Sequence, residues 1–501
     1  MTGPNPTPPP AAKAPSLLEN WVSLLGLIVA ACSFFAVIIL VAIDFQGGFH
    51  TPYLGIFTYL VTPAFLLTGL MLMVAGMLLE RRRRRLLAPG EMLRHPRIDL
   101  NKPRHRKALL IVSVVTFVFL VTTALTTYQA YHFTESVSFC GQTCHRVMQP
   151  EYTAYQSSAH ARVTCVQCHI GPGAGWFVRS KLSGLYQVYA TLANVYPQPI
   201  PTPIENLRPA QETCEQCHWP RKFFGNAERV NYHFLSDSAN SPWTIRLLMK
   251  IGGGDPEHGP AGGIHWHMNI SNQVEYVHTD TARQVIPWVR VTAPNGSVTV
   301  YQSESEPLTE AQVESAVPRL MDCMDCHNRP AHTFQAPARA VNLSLGTGRL
   351  SSALPSIKQT AVGLLTAEYE HTPQAMAAID SGLTAQYRGH VAPAQVEQAV
   401  AEVQRIYRTN YFPEMKVSWE KYPNNLGHTI FPGCYRCHDG QHRSADGRVI
   451  SHSCTTCHTI ISQGEGPTAG TIAPEGLEFR HPVDIGDMWR EVNCAVCHTG
   501  K

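Results

Sequence analysis

At 501 residues the chain has room for more than one domain, and its apolar content, 44% overall, is concentrated in a few runs. The formal charge of +3 conceals one block: residues 81–107 carry eleven Lys/Arg against two Asp/Glu, a local +9 that leaves the remainder near −6. A nucleic-acid partner finds no support, because the basic block has a better explanation in its position between apolar runs.

Residues 1–20 open with MTGPNPTPPPAAKAPS, which is Pro-rich and without hydrophobic period, and predict a disordered tail. Trp21–Ile43, Leu54–Leu79 and Ala108–Tyr128 contain no charged residue. Each is at least 20 residues long, enough to cross a hydrocarbon core as a helix. A single such run is also compatible with a buried core helix; three in succession favour membrane spans. Between the second and third lies the 80–107 loop, with Arg81–Arg85 at its start. Lys/Arg-rich loops stay cytoplasmic, which sends the third helix outward and places everything after residue 129 outside the cytoplasm. The arginine run is also compatible with a lipid or partner site. The first run lacks a basic flank and a small-residue cleavage site, so it reads as an anchor.

Beyond the third run the chain is organised by a repeated signature. Cys-x-x-Cys-His occurs at Cys165/Cys168/His169, Cys214/Cys217/His218, Cys323/Cys326/His327, Cys434/Cys437/His438, Cys454/Cys457/His458 and Cys494/Cys497/His498. A seventh copy, Cys140/Cys144/His145, is one residue longer. This is the attachment signature of c-type haem, in which two thiols bond the vinyl groups and the adjacent histidine reaches the iron. Zinc also uses Cys-x-x-Cys pairs but does not require a histidine after each one. Fourteen of the fifteen cysteines are used in this way, and the odd one, Cys32, lies in an apolar run as a small hydrophobe. Seven covalent haems are therefore expected. In bacteria such haem is attached outside the cytoplasm, in agreement with the topology.

Residues 129–222 hold three motifs. Residues 223–322 are rich in Val, Tyr, Ile and Thr over Gln273–His278, Val285–Val291 and Ser297–Gln302, with the turn Pro294-Asn295-Gly296 between the last two, and predict a small β insertion. Residues 323–501 hold four motifs; helices are expected within 356–411, most clearly Ala394–Tyr407, and little regular structure over the last three motifs. The fold class is mixed: three amino-terminal transmembrane helices and an extracytoplasmic multihaem domain, mostly helix and loop with a β insertion.

The seven motif histidines each supply one axial ligand, and a low-spin haem needs a second, His or Met. Fourteen further histidines follow residue 129. Position favours His160, His265, His267, His332, His428, His442 and His481, with His132, His233, His258, His278 and His452 in reserve. Met148 follows the irregular first motif, as a ligand or as packing filler.

From Phe139 to about Pro220 the sequence resembles the NapC/NirT/NrfH family of membrane-anchored multihaem quinol dehydrogenases. The carrying residues are Cys140–His145 with Met148, His160 with Cys165–His169, Lys181-Leu-Ser-Gly184, and Cys214–His218. The resemblance implies oxidation of quinol from the membrane pool and electron delivery to a periplasmic c-type cytochrome or reductase. It also implies Met148 at the first haem, His160 as a distal ligand and Lys181 at the quinol pocket, where Lys181 can alternatively pair with a haem propionate. The family has one anchor and four or five haems; a longer branch of seven-haem inner-membrane cytochromes with three amino-terminal spans is closer in layout. Gln187 falls where the family often has an acidic residue. The expected protein is a multi-pass inner-membrane quinol:cytochrome c oxidoreductase with its haems in the periplasm, with Lys181 and Gln187 at the quinol site. A terminal reductase with an open haem, a redox sensor, and assembly into an oligomer stay open.

Overall fold

The computed structural model describes residues 17–18, 20–45, 61–86, 100–143, 145–204, 207–253, 262–268, 272–465, 470 and 472–501. Nearly all of the expected tail, the start of the second apolar run, residues 87–99 of the basic loop, Cys144, the side chain of His145, and His258 fall outside the described residues. The chain divides into two compact units, Met1–His132 with Pro172–Gly184, and Phe133–Gly171 with Leu185–Lys501.

The first unit is built on α1 (Trp21–Phe45), α2 (Thr62–Leu86) and most of α3 (Pro103–Thr134). α1 and α2 are long and apolar enough to cross a membrane, and their outward side chains, among them Phe35, Leu67 and Met71, are exposed aromatic and aliphatic groups. The two helices meet through small residues. A Cβ on Gly69 would lie 2.9 Å from both the Ala30 Cα and the Gly26 carbonyl, so only glycine permits this backbone approach. Asn20 accepts from the Ser23 N–H at 2.8 Å at the start of α1, and Ser23 donates to the Met73 carbonyl at 3.1 Å across the pair. α2 continues through the arginine run, so Arg81–Arg85 form its last turns, where the sequence placed the start of a loop. Arginine is a good helix former, and its charge complements the carbonyl end of the helix dipole. Buried Glu80 is paired with Arg84 at 2.9 Å.

The second unit has a helical layer and two sheets. It contains α4 (His145–Gln156), while helix α5 (Ala174–Ala193) is divided, its residues up to Gly184 lying in the first unit and the rest in the second. Helices α6 (Pro337–Gly346), α7 (Ile357–Thr366), α8 (Thr372–Tyr387) and α9 (Pro393–Asn410) form the main core, in which Ile357, Ile379, Leu383 and Val403 are fully buried. Each such side chain contributes about 1.5–3 kcal/mol of transfer free energy. α9 covers the predicted Ala394–Tyr407, with Val396, Val403 and Ile406 buried and Val400 packed at the margin. Ser344 on α6 donates to Glu402 on α9 at 2.6 Å, closing the layer with a satisfied polar contact.

The β insertion is present but larger than predicted. One sheet has the order β1 (Ala227–Phe234), β2 (Pro242–Met249), β8 (His458–Glu465). The other has the order β6 (Arg319–Leu320), β3 (Gln273–Val277), β4 (Trp288–Thr292), β5 (Val298–Ser303), β7 (His442–Ser444). All pairings are antiparallel, and β4 and β5 are joined through the predicted turn, where Gly296 has φ +80°. β7 and β8 come from the motif-bearing carboxy-terminal region, so that region is interleaved with the insertion. The expectation of little regular structure there is corrected: β8 begins at motif residue His458 and pairs Met249↔His458 through Trp243↔Glu465.

Candidate haem centres

The motifs share a local geometry. Cys165–His169, Cys323–Cys326 and Cys494–Cys497 are short α-helices, while Cys214–Gln216, Gly433–Arg436 and Cys454–Thr456 are 3₁₀ turns. In four of them the histidine N–H donates to the first cysteine carbonyl: His218 at 2.8 Å, His327 at 2.7 Å, His438 at 3.0 Å and His498 at 2.8 Å. One turn of helix thereby presents two thiols and a ring together. Of the longer first motif, Cys140–Thr143 lies in a π-helical turn, Phe139–Thr143.

The fourth motif is fixed most elaborately. Buried Asp325, inside it, accepts from Tyr276 Oη at 2.6 Å, Arg319 Nε at 2.9 Å, Arg283 Nη1 at 3.3 Å and the Asp322 N–H at 2.7 Å. Burial, and after it the Asp325 carboxylate, push the Tyr276 hydroxyl far above its ordinary range, keeping it a donor. Burial works against the Arg319 charge, yet its bond to Asp325 wins and its pKa lies above the ordinary value.

The histidines of all six regular motifs face a second imidazole. The ring centroids are 6.3 Å apart for His169 and His332, 6.0 Å for His218 and His160, and 6.3 Å for His327 and His265. They are 5.9 Å apart for His438 and His267, 6.3 Å for His458 and His428, and 6.0 Å for His498 and His481. An imidazole nitrogen binds a transition metal at about 2 Å, and adding about 1 Å from nitrogen to ring centre on each side gives about 6 Å between two rings across one iron. The observed separations fit that value, and no partner ring adjoins its motif histidine in sequence.

Five of the six facing rings have Nδ1 against a backbone carbonyl. His332 meets Glu151 at 3.0 Å, His265 meets Ile251 at 2.7 Å, and His267 meets Ile264 at 2.8 Å. His481 meets Val483 at 2.7 Å, and His160 meets Pro330 at 3.3 Å. A proton on Nδ1 leaves Nε2 as the electron-pair donor, the usual way in which a protein orients a ligating histidine. Burial lowers the pKa of His169, His267, His327, His438, His458 and His498. His332 and His428 fall to about 4, first through burial and then through Arg329 and His458 respectively. All eight rings are thus neutral at neutral pH, the form that binds metal.

The cysteines of successive motifs adjoin one another in chain order. Cys165 lies against Cys140, Cys168 neighbours Cys214 and Cys217, and Cys214 lies against Cys323. Cys326 neighbours Cys434, Cys457 neighbours Cys434, and Cys494 neighbours Cys454. Tyr435 lies among the last three motifs, with His428 stacked on it at 4.2 Å and His452 at 4.6 Å.

Other sequence candidates occupy different surroundings. His442 is set apart from the ligand candidates: Nδ1 meets Asp439 Oδ1 at 2.9 Å and Nε2 meets the Ile286 carbonyl at 2.7 Å, so both nitrogens hold protein partners in a fully buried position. His278 turns Nδ1 to the Asp280 carbonyl at 2.8 Å. Met148 is partly buried against the helical core. In the first unit, half-buried Lys181 has its ammonium 5.0 Å from the centre of the Phe177 ring. Gln187 is exposed, and its backbone carbonyl accepts from the Thr191 hydroxyl at 2.8 Å.

Repeated thiol-histidine turns, each regular one with an opposing imidazole, define a multihaem c-type cytochrome. Residues 102–199 match the model for the N-terminal region of the NapC/NirT cytochrome c family. The whole chain is also similar to the cytochrome c-type protein ImcH of Geobacter sulfurreducens, with 43% identity over 97% of this chain and 96% of that protein. The chain therefore belongs to the NapC/NirT cytochrome c family. No solved structure matches it.

Proposed function

We propose that this chain is a quinol:cytochrome c oxidoreductase of the bacterial inner membrane. In this reading it holds seven covalent haems on the periplasmic side and passes electrons from the quinol pool to a soluble c-type cytochrome or reductase. When bound, haem supplies a reversible one-electron carrier. The residues' part is to attach, orient and space these groups.

The observation that carries the reading is the set of six facing imidazole pairs at 5.9–6.3 Å. In this reading His169, His218, His327, His438, His458 and His498 are proximal ligands. His332, His160, His265, His267, His428 and His481 are the respective distal ones. With haem held between each pair, these six centres would have no position for a substrate, which favours electron transfer over terminal reduction. His145 serves the first centre, with Met148 as its proposed partner. The end-to-end order of the motif cysteines supports a relay running along the chain from the membrane-proximal motif to the last.

Membership of the family supports quinol as the donor. Lys181 and Gln187 are proposed at its pocket, with the Lys181 ammonium as a hydrogen-bond donor to a quinol oxygen. Quinol must arrive from the bilayer, so α1, α2 and α3 are proposed as three spans, with the Arg81–Arg85 end of α2 cytoplasmic.

The test is intact mass together with spin state. The mature chain is expected to exceed its apoprotein mass by seven haem equivalents, with at least six low-spin irons in the oxidised protein. Fewer than six low-spin irons in fully loaded protein would break the ligand reading.

A further inference from the structure

We propose that one short turn, Ile264–Met268, is a clamp for two haem centres. Its His265 serves the fourth motif and its His267 the fifth, in contrasting ring orientations. The proposal rests on the reading of facing imidazoles as ligand pairs and deepens it.

The turn lies in the insertion, outside the region matched to the family. Two residues apart on a 3₁₀ turn, the rings diverge: His265 faces His327 at 6.3 Å and His267 faces His438 at 5.9 Å. Each Nδ1 is taken by a carbonyl, Ile251 at 2.7 Å and Ile264 at 2.8 Å, so each Nε2 is the available donor. The turn is itself held in place. The Ile264 N–H donates to the Lys250 carbonyl at 2.8 Å, and the His265 N–H to the Gly252 carbonyl at 2.9 Å. Between the two histidines, Trp266 packs on the core of the five-stranded sheet, and its carbonyl accepts from Asn272 at 3.2 Å.

The two motifs opposite the turn are also tied to each other. Arg436 Nη2 and Asn425 Nδ2 both donate to the Asp325 carbonyl, at 2.6 and 2.9 Å. Proximal and distal sides of both centres are therefore fixed in one assembly. A displacement of the turn reaches both at once.

The ring planes differ sharply. His265 and His327 are 3° from parallel, while His267 and His438 are 85° apart, the widest angle of the six pairs. Parallel axial imidazoles split the two iron d orbitals that overlap their π systems and give a rhombic low-spin spectrum. Perpendicular imidazoles leave those orbitals nearly degenerate and give a signal with a large maximal g value. With both haems bound, the clamp would make two neighbouring carriers electronically distinct.

Gly253 provides the perturbation that separates a shared clamp from two independent ligands. Its φ is +128°, and a Cβ there would run into the backbone of His265 and Trp266. The test is electron paramagnetic resonance of the oxidised, full-length holoprotein, with haem content fixed by mass. His265→Ala is expected to add one high-spin equivalent and leave the large-g signal in place. His267→Ala is expected to add one high-spin equivalent and to diminish the large-g signal, to which His160 and His218, whose rings are 69° apart, also contribute. Gly253→Ala, loaded with all its haem, is expected to alter both signals together. His481→Ala serves as the reference at a distant pair and is expected to add one high-spin equivalent. If His481→Ala does so but His265→Ala or His267→Ala does not, the clamp is wrong and the ligand reading stands. If none of the three does so, the ligand reading fails with it. A fully loaded Gly253→Ala protein with both signals unchanged would also overturn the clamp.

Discussion

Asp325→Asn removes the charge that organises the fourth motif while keeping the side-chain volume. The native carboxylate accepts from Tyr276, Arg319, Arg283 and the Asp322 N–H, and it is 2% exposed. Deleting one partner of a buried ion pair costs about 3–5 kcal/mol, because the remaining charge stays out of water unpaired. Asparagine still accepts from Tyr276, and the Arg319 and Arg283 side chains are 29% and 23% exposed, so the guanidinium groups recover some solvation. The loss should therefore lie near the lower end, about 3 kcal/mol, which is roughly a hundredfold in the unfolding equilibrium. Denaturant unfolding of the detergent-solubilised holoprotein, followed by tyrosine and tryptophan fluorescence, measures it. Glu304→Gln, at the exposed Glu304–Arg443 pair, is the control and should cost less than about 1 kcal/mol. Equal midpoints for the two variants would refute the reasoning.

Three further outcomes follow from particular residues. His442→Ala should cost about 2–4 kcal/mol by leaving Asp439 and the Ile286 carbonyl without their buried partner, and the high-spin count should stay at its wild-type level; a new high-spin equivalent would restore His442 as a ligand. Lys181→Ala should slow reduction of the protein by quinol about tenfold or more, with reduction by dithionite unchanged; an unaltered quinol rate would remove Lys181 from the pocket. Reporter fusions after Tyr128 should be active only if translocated, while fusions after Arg85 should behave oppositely; the reverse result would invert the topology.

The attachment motifs are legible in the sequence because their chemistry is local: two thiols and a ring must share one turn, and that fixes the spacing. Strands β3 to β5 are legible for a similar reason, through β-branched runs and the Pro294-Asn295-Gly296 turn. What the sequence hides is long-range. β8 has no hairpin partner beside it and pairs instead with β2, more than two hundred residues earlier. The ligand candidates show the same limit. His160 lies beside the second motif but faces His218 of the third, and His332 follows the fourth motif but faces His169 of the second. Sequence proximity nominated histidines without assigning the rings they face. It also nominated His442, whose two nitrogens are occupied by Asp439 and the strand-leading Ile286. Only the fold decides that point, because the pairing of His442 with the Asp439 carboxylate is local while the Ile286 carbonyl is brought in by the sheet.

In the proposed function electrons enter this chain from quinol and leave through its far motifs. Rapid mixing of a reduced quinol with the oxidised, full-length protein in liposomes, with haem absorbance followed, tests it most directly. The haems are expected to be reduced without added mediator and then to reduce an external soluble cytochrome c. Haems that dithionite reduces but quinol leaves oxidised would contradict that function.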